Sequence, residues 1–212
     1  MDMQSGWNEN RALLRGTAAA DPVWSHETHG VVYELFPLEV LRLSGSADRI
    51  NIIAPRTLLE HCPVRAGMPL EVEGEVRSFN NKSGRGSRLV ITLHARSLRP
   101  GNGPDENRLV LAGVLCKPPV LRRTPLGREI CDLMLAVNRR YGRADYLPCI
   151  AWGALALQCG RMGTGDPLRL EGRLQSRLYR KTIGETVQER TAFEVSIASL
   201  LPDQEEGEGA AL

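Results

Sequence analysis

Between Pro167 and Gln175 the chain alternates apolar and polar residues, with Leu168, Leu170, Gly172 and Leu174 on one side. That period of two is the signature of a half-buried β-strand. Thr191 to Leu201 alternates again, and the polar stretch from Ser176 to Arg190, with Gly184 near its middle, joins the two as a long hairpin. Upstream, Arg108 to Cys116 is an apolar run rich in Leu and Val, which predicts a strand; Lys117-Pro118-Pro119 ends it and Thr124-Pro125-Leu126-Gly127 reads as a turn. Tyr146 to Trp152 predicts another strand, and Gly153 to Cys159 a short helix stopped at Gly160. Glu129 to Asn138 mixes apolar and polar positions, and by periodicity alone it fits a helix as well as a strand.

The same pattern occurs earlier in the chain. Asn10-Arg11-Ala12-Leu13-Leu14-Arg15-Gly16 is echoed 97 residues later by Asn107-Arg108-Leu109-Val110-Leu111-Ala112-Gly113. The stretch Gly67 to Ser78 is echoed by Gly165 to Ser176 at an offset of 98, and Leu93–Leu98 by Val195–Leu200. Two blocks about 98 residues apart and a third in the same order 102 residues on mean a duplicated unit. The first copy predicts strands at about 11–19, 30–43, 48–54, 68–77 and 88–98, with a helix at 56–61 and a hairpin tip from Phe79 to Ser87. Three strands, a short helix, a strand, a hairpin and a last strand is the order of the OB-fold, a five-stranded Greek-key barrel. The expected fold class is therefore all-β. It comprises two tandem OB-folds, each with a short helix between strands 3 and 4, at 8–99 and 107–202. A short Pro/Gly-rich linker at 100–106 and an acidic tail at 203–212 complete the chain.

Of the 212 residues, 42% are hydrophobic and 25% charged, as expected for a globular protein. No apolar run approaches the roughly 20 residues that span a bilayer. The N-terminal residues have neither the basic start nor the apolar stretch of a signal peptide, so a cytoplasmic protein without membrane contact is expected. Five scattered cysteines (Cys62, Cys116, Cys131, Cys149 and Cys159), never in a C-x-x-C pair, read as buried reduced thiols rather than a zinc site. His26 and His29 lie in a polar strand-and-turn stretch and read as surface sequence. The net charge of +2 conceals an asymmetry. Residues 104–202 carry 15 basic and 10 acidic side chains, while the last ten residues carry four acidic ones. A basic second copy points toward a polyanion.

Catalytic patterns are missing: no Gly-rich phosphate loop, G-x-S-x-G, H-E-x-x-H or carboxylate cluster suited to two metal ions. Binding without enzymatic activity or cofactor is expected, and an OB-fold nuclease is the disfavoured alternative. Aromatic residues are few, and in the second copy Tyr141, Tyr146, Trp152 and Tyr179 interleave with Arg139, Arg140, Arg143, Arg177, Arg180 and Lys181. Single-stranded nucleic acid needs flat faces for its bases and cations along its backbone. Trp152, inside an apolar run, fits a core position equally well. Arg122, Arg123 and Arg128 flank a turn and read as phosphate contacts or as a solvated loop.

The second copy resembles the bacterial single-stranded DNA-binding protein family along nearly its whole length. The motifs are Asn107–Gly113, Leu121–Gly127, Leu135–Tyr141, Ala151–Ala156, Leu170–Tyr179 and Thr191–Val195. The resemblance implies that Glu129 to Asn138 is a strand, and that Tyr141, Tyr146, Trp152 and Tyr179 stack bases. It also implies binding of single-stranded DNA without sequence preference in replication, recombination or repair. Four barrels per assembly are usual for the family, which for two barrels per chain implies a homodimer. The first copy has Tyr33, Phe36 and Phe79 but lacks the Tyr/Trp set at matching positions, which suits weak binding or assembly. The family's acidic tail carries an aromatic tip that recruits repair enzymes; Pro202 to Leu212 is acidic without one, which puts those partners in doubt. The runner-up role is a primosome-type or mobile-element accessory protein acting mainly through protein contacts.

Overall fold

The computed structural model describes residues 9–81, 87–139, 142–183 and 186–202, and within strands the side chains of all of these except 178–190. The first repeat forms β1 (Asn10–Ala18), β2 (Val23–Thr28), β3 (Val31–Leu41), β4 (Ala47–Pro55), α1 (Arg56–His61), β5 (Pro69–Asn80) and β6 (Leu89–Pro100). The second forms β7 (Glu106–Leu115), β8 (Val120–Arg123), β9 (Glu129–Asn138), β10 (Ala144–Trp152), α2 (Ala154–Cys159), β11 (Pro167–Ile183) and β12 (Thr186–Leu200). Glu129 to Asn138 is strand throughout, paired antiparallel with β10 from Ala144↔Asn138 to Trp152↔Ile130. Each repeat gains one short strand beyond the expected five, β2 and β8. In β8 all four residues are exposed, so no alternation of burial marks it in the sequence.

The strand order is β2-β3-β4-β6-β5-β1 in one repeat and β7-β11-β12-β10-β9-β8 in the other. The sheets close through β1–β3 and β7–β9. Closure brings Thr17 opposite Glu39 and Val114 opposite Ala136. Gly16 and Gly113, one residue before each crossing, make it possible. A Cβ on Gly16 would overlap the carbonyl oxygen of Glu39, and one on Gly113 that of Ala136. The overlap is with backbone, which no rotamer change relieves.

By its contacts the chain gathers into two compact units. One contains Arg11–Leu109 with Arg173–Ser196; the other contains Met1–Asn10, Val110–Gly172 and Ile197–Leu212. In the first, Leu14, Phe36, Leu38, Ile50, Ile52 and Leu93 form the core, none more than 0% exposed. In the other, Leu111, Leu115, Leu135, Val137, Leu147 and Ala151 do the same. Alternate positions of each strand point inward, as β9 shows with Cys131, Leu133, Leu135 and Val137. The helices are single-sided plugs: Leu59 of α1 and Ala156 and Cys159 of α2 are buried. Among the described residues no helix is long and apolar enough to cross a membrane.

All five cysteines are free thiols, four of them buried and Cys116 half-buried. Burial, assisted by neighbouring Cys131, pushes the Cys159 thiol up to about 11. At pH 8 only ~0.1% of such a thiol is thiolate, so iodoacetamide followed by mass spectrometry labels Cys116 well before Cys159. Gly113→Ala and Gly16→Ala each forces a barrel to open at its seam, and each lowers stability by about 3 kcal/mol, read as a drop in the urea midpoint.

Candidate nucleic-acid interface

The outward face of β8, β9 and β10 is built from a simple parity. On β10 the odd residues Asp145, Leu147, Cys149 and Ala151 are buried. The even residues therefore share the other face, and at its two ends stand Tyr146 and Trp152, 50% and 41% exposed. Of the two readings open for Trp152, core or surface, its exposure decides for surface. Six residues of extended strand separate the two rings by about 20 Å. Between them lie Pro148 and Ile150, opposite Met134 and Asp132 of β9; Tyr146 faces Ala136 and Trp152 faces Ile130. Ile130 in turn is paired with Arg122 of β8. The face therefore carries an exposed aromatic ring at each end and a cation beside one of them, with half-buried Pro148 and Met134, buried Ile150 and the charged Asp132 between.

The eight arginines in the expected set divide by what holds them. Arg139, which leaves β9, points Nε at Asp145 Oδ2 at 2.7 Å and Nη2 at Oδ1. Asp145 is fully buried, so this guanidinium clamps the β9–β10 turn from inside, together with the 2.7 Å bond from the Arg139 amide to the Arg143 carbonyl. Arg122 and Arg123 stand on β8, not on a loop; Arg122 pairs with Asp132 at 2.5 Å and Arg123 with Glu129 at 2.7 Å, all at the surface. Such exposed pairs are worth at most about 1 kcal/mol, so either guanidinium is readily traded to another anion. Arg128 sits at the end of the Thr124–Arg128 turn, whose Gly127 has a φ of 80°. Arg143 lies in the β9–β10 turn and Arg177 on β11, both exposed. Among the described residues, no acidic side chain pairs with Arg128, Arg143 or Arg177. Arg140 and Tyr141 lie outside the described residues, as do the side chains of Tyr179, Arg180 and Lys181, whose backbone runs in β11.

The first repeat presents a different surface at the same positions. Counting back 97 residues, Arg49 stands for Tyr146 and Pro55 for Trp152. Arg49 lies opposite Glu39 and Pro55 opposite Tyr33. Phe36 is wholly buried, while Phe79 is 52% exposed. Two aromatic features here escaped the sequence reading. Trp24 on β2 is 66% exposed, and His26 stacks on Tyr33 with ring centroids 4.9 Å apart and planes 6° from parallel. Trp24 was legible as a rare residue in a polar stretch; the His26–Tyr33 stack depends on a bulge between Trp24 and His26 that shifts the β2–β3 register.

Two β-barrels, one of which carries spaced aromatic rings on its third long strand, β10, with exposed cations on the neighbouring β8, define an OB-fold binding protein. The comparisons with known proteins agree. The model of the single-strand binding protein family matches residues 106–201. The single-stranded DNA-binding protein 2 of Listeria monocytogenes is 33% identical over 111 residues, covering 49% of this chain and 69% of that one. The single-stranded DNA-binding protein A of Bacillus subtilis is 33% identical over 111 residues, covering 49% and 64%. The crystal structure of the wild-type single-stranded DNA binding protein from Thermus aquaticus superposes with a TM-score of 0.75 over 96% of this chain and 97% of that one, at 23% identity. That likeness extends the fold to both repeats. The chain belongs to the single-strand binding protein family.

The division among the arginines is measurable. Arg139→Ala leaves the buried Asp145 carboxylate without its main partner and costs about 3 kcal/mol of stability, whereas Arg143→Ala changes it by less than about 0.5 kcal/mol. Urea unfolding of the two variants beside the parent separates them.

Proposed function

We propose that this protein binds single-stranded DNA without sequence preference and protects it during replication, recombination or repair, as a non-enzymatic cytoplasmic protein. The observation that carries the reading is the placement of Tyr146 and Trp152 on one face of β10, half-exposed and about six residues apart, with unpaired Arg128, Arg143 and Arg177 among the described cations. Every base has a π-face, so stacking on such rings tolerates any sequence. The arginines take the phosphates and release counterions, which makes binding salt-dependent. Tyr141 and Tyr179 complete the stacking set, with Arg122, Arg123, Arg139, Arg140, Arg180 and Lys181 along the backbone path. Arg139 contributes chiefly by holding the β9–β10 turn through Asp145 and Arg143. Family membership supports the ligand, and the names of the Listeria and Bacillus relatives give it for those proteins. The first repeat serves assembly, and two chains supply four barrels.

Titration with oligo(dT) under tryptophan fluorescence tests this. Tight binding with quenching that weakens as salt rises is expected; no binding at low salt would sink the reading. Trp152→Phe removes most of the quenching, which separates Trp152 from Trp7 and Trp24. Tyr146→Ala lowers affinity about 5- to 150-fold, the equivalent of roughly 1–3 kcal/mol for one lost stack. Arg143→Ala reduces the slope of log affinity against log salt by about 0.7. The oligonucleotide keeps its length on incubation with magnesium, and sedimentation gives a dimer.

A further inference from the structure

The outer part of the β11–β12 hairpin, within Arg173–Ser196, belongs to the same compact unit as the first repeat's strands. Its base is held there at three points. Asn107 donates its side-chain amide to the Leu174 carbonyl at 2.7 Å and accepts the Leu174 amide at 2.9 Å. Ser87 Oγ donates to the Thr191 carbonyl at 2.8 Å. The third point is Ser176. Its amide donates to Asp48 Oδ1 at 2.7 Å, its hydroxyl to the same oxygen at 3.3 Å, and its carbonyl accepts from Arg42 Nη2 at 3.2 Å.

Asp48 is 1% exposed and is fixed by Arg42 through two hydrogen bonds, Nε to Oδ2 at 2.7 Å and Nη2 to Oδ1. The hydrogen bond to Asp48 also raises Arg42 above the ordinary guanidinium value, and burial opposes it. The pair has a counterpart 97 residues on, in Arg139 and Asp145, which clamps the equivalent turn. In the first repeat the same clamp has a second task, since both of its members also bind the backbone of Ser176. A buried ion pair is a rigid acceptor and donor at once, because neither side chain is free to follow a strand that drifts.

We propose that Asp48, with Arg42, is a positioning residue for the nucleic-acid-binding hairpin. The first repeat has Arg and Pro where the second has Tyr and Trp, and it contributes to binding by seating Ser176. The next residue, Arg177, is exposed and among the described residues has no acidic partner, and Tyr179, Arg180 and Lys181 follow along the same strand. This rests on the reading of the hairpin as part of the single-stranded DNA path.

The test is a mutant cycle on the full chain. Ser176→Asp sets a second carboxylate against Asp48 and leaves the Arg42–Asp48 pair intact; Asp48→Asn removes the charge at the seat. Each single variant raises hydrogen exchange of amides 177–183 about tenfold beyond any change in β3 and β4, and each weakens oligo(dT) binding about tenfold. Combining them relieves the repulsion, so Asp48→Asn restores at least threefold of the affinity that Ser176→Asp loses. Repulsion of phosphate by the new carboxylate alone predicts no such rescue. Additive losses, or parent-like exchange in the hairpin of both single variants, overturn the proposal. Failure of the parent to bind oligo(dT) instead overturns the single-stranded DNA reading, and the exchange rates still report whether the seat holds the hairpin.

Discussion

Each barrel depends on a place where one strand crosses over another's carbonyl with no side chain between them. At Gly16 the neighbour is the Glu39 oxygen, and at Gly113 it is the Ala136 oxygen. A twisted sheet of this size leaves edges with unpaired backbone groups unless it closes. The β1–β3 and β7–β9 pairings provide that closure, and they need the two backbones closer than any Cβ allows. Once the seam is shut, the alternate residues of every strand have only one place to go. Phe36, Leu38 and Val40 turn inward in one repeat and Leu133, Leu135 and Val137 in the other. The outward face of β10 is a by-product of that sorting. Tyr146 and Trp152 are exposed because Leu147, Cys149 and Ala151 are buried.

Duplication copied this frame and left the outer face free to change. The seam glycine, the short helix and the buried Arg–Asp clamp all recur at a spacing of 97 or 98 residues, in Gly16 and Gly113, α1 and α2, Arg42–Asp48 and Arg139–Asp145. These are positions where a change costs stability whatever the barrel binds. At the outward positions nothing enforces agreement, and there Tyr146 and Trp152 of the second repeat correspond to Arg49 and Pro55 of the first. Divergence between the repeats is thus concentrated where the physics of the barrel is indifferent.

Much of this was legible in the sequence. The duplication, the strand order and both helices follow from the residue pattern and from matching blocks, because long half-buried strands write their burial into the sequence; β9 was ambiguous by periodicity, and only the family resemblance made it a strand. β2 and β8 did not announce themselves, since strands exposed along their length carry no alternation. The roles of the arginines were hidden for another reason. Arg139, Arg140 and Arg143 look alike in a run of basic residues, and only the fold shows that Asp145, six residues on from Arg139, is buried beneath the turn. A carboxylate that deep is stable only with a charged partner, so the nearest arginine is committed before any ligand arrives. The long hairpin from Ser176 to Arg190 was expected, but not that its first arm is regular strand: β11 runs on to Ile183, past the alternation that ends at Gln175.

That longer strand changes what the first repeat is for. A strand of 17 residues extends well beyond the few ladder positions where a barrel's core holds it, and an unsupported hairpin in water is marginal. The charged and aromatic residues at 177–181 are of use to a polyanion only if the backbone beneath them is held, because ordering it on binding subtracts from affinity. Within the unit that contains the hairpin's outer part, the polar contacts available to do this come from Asp48, Arg42, Ser87 and Asn107. Three of the four belong to the first repeat. A barrel with Arg49 and Pro55 at the matching positions therefore has a part to play in the proposed arrangement: through Asp48 and Arg42 it supplies the fixed surface against which β11 is laid.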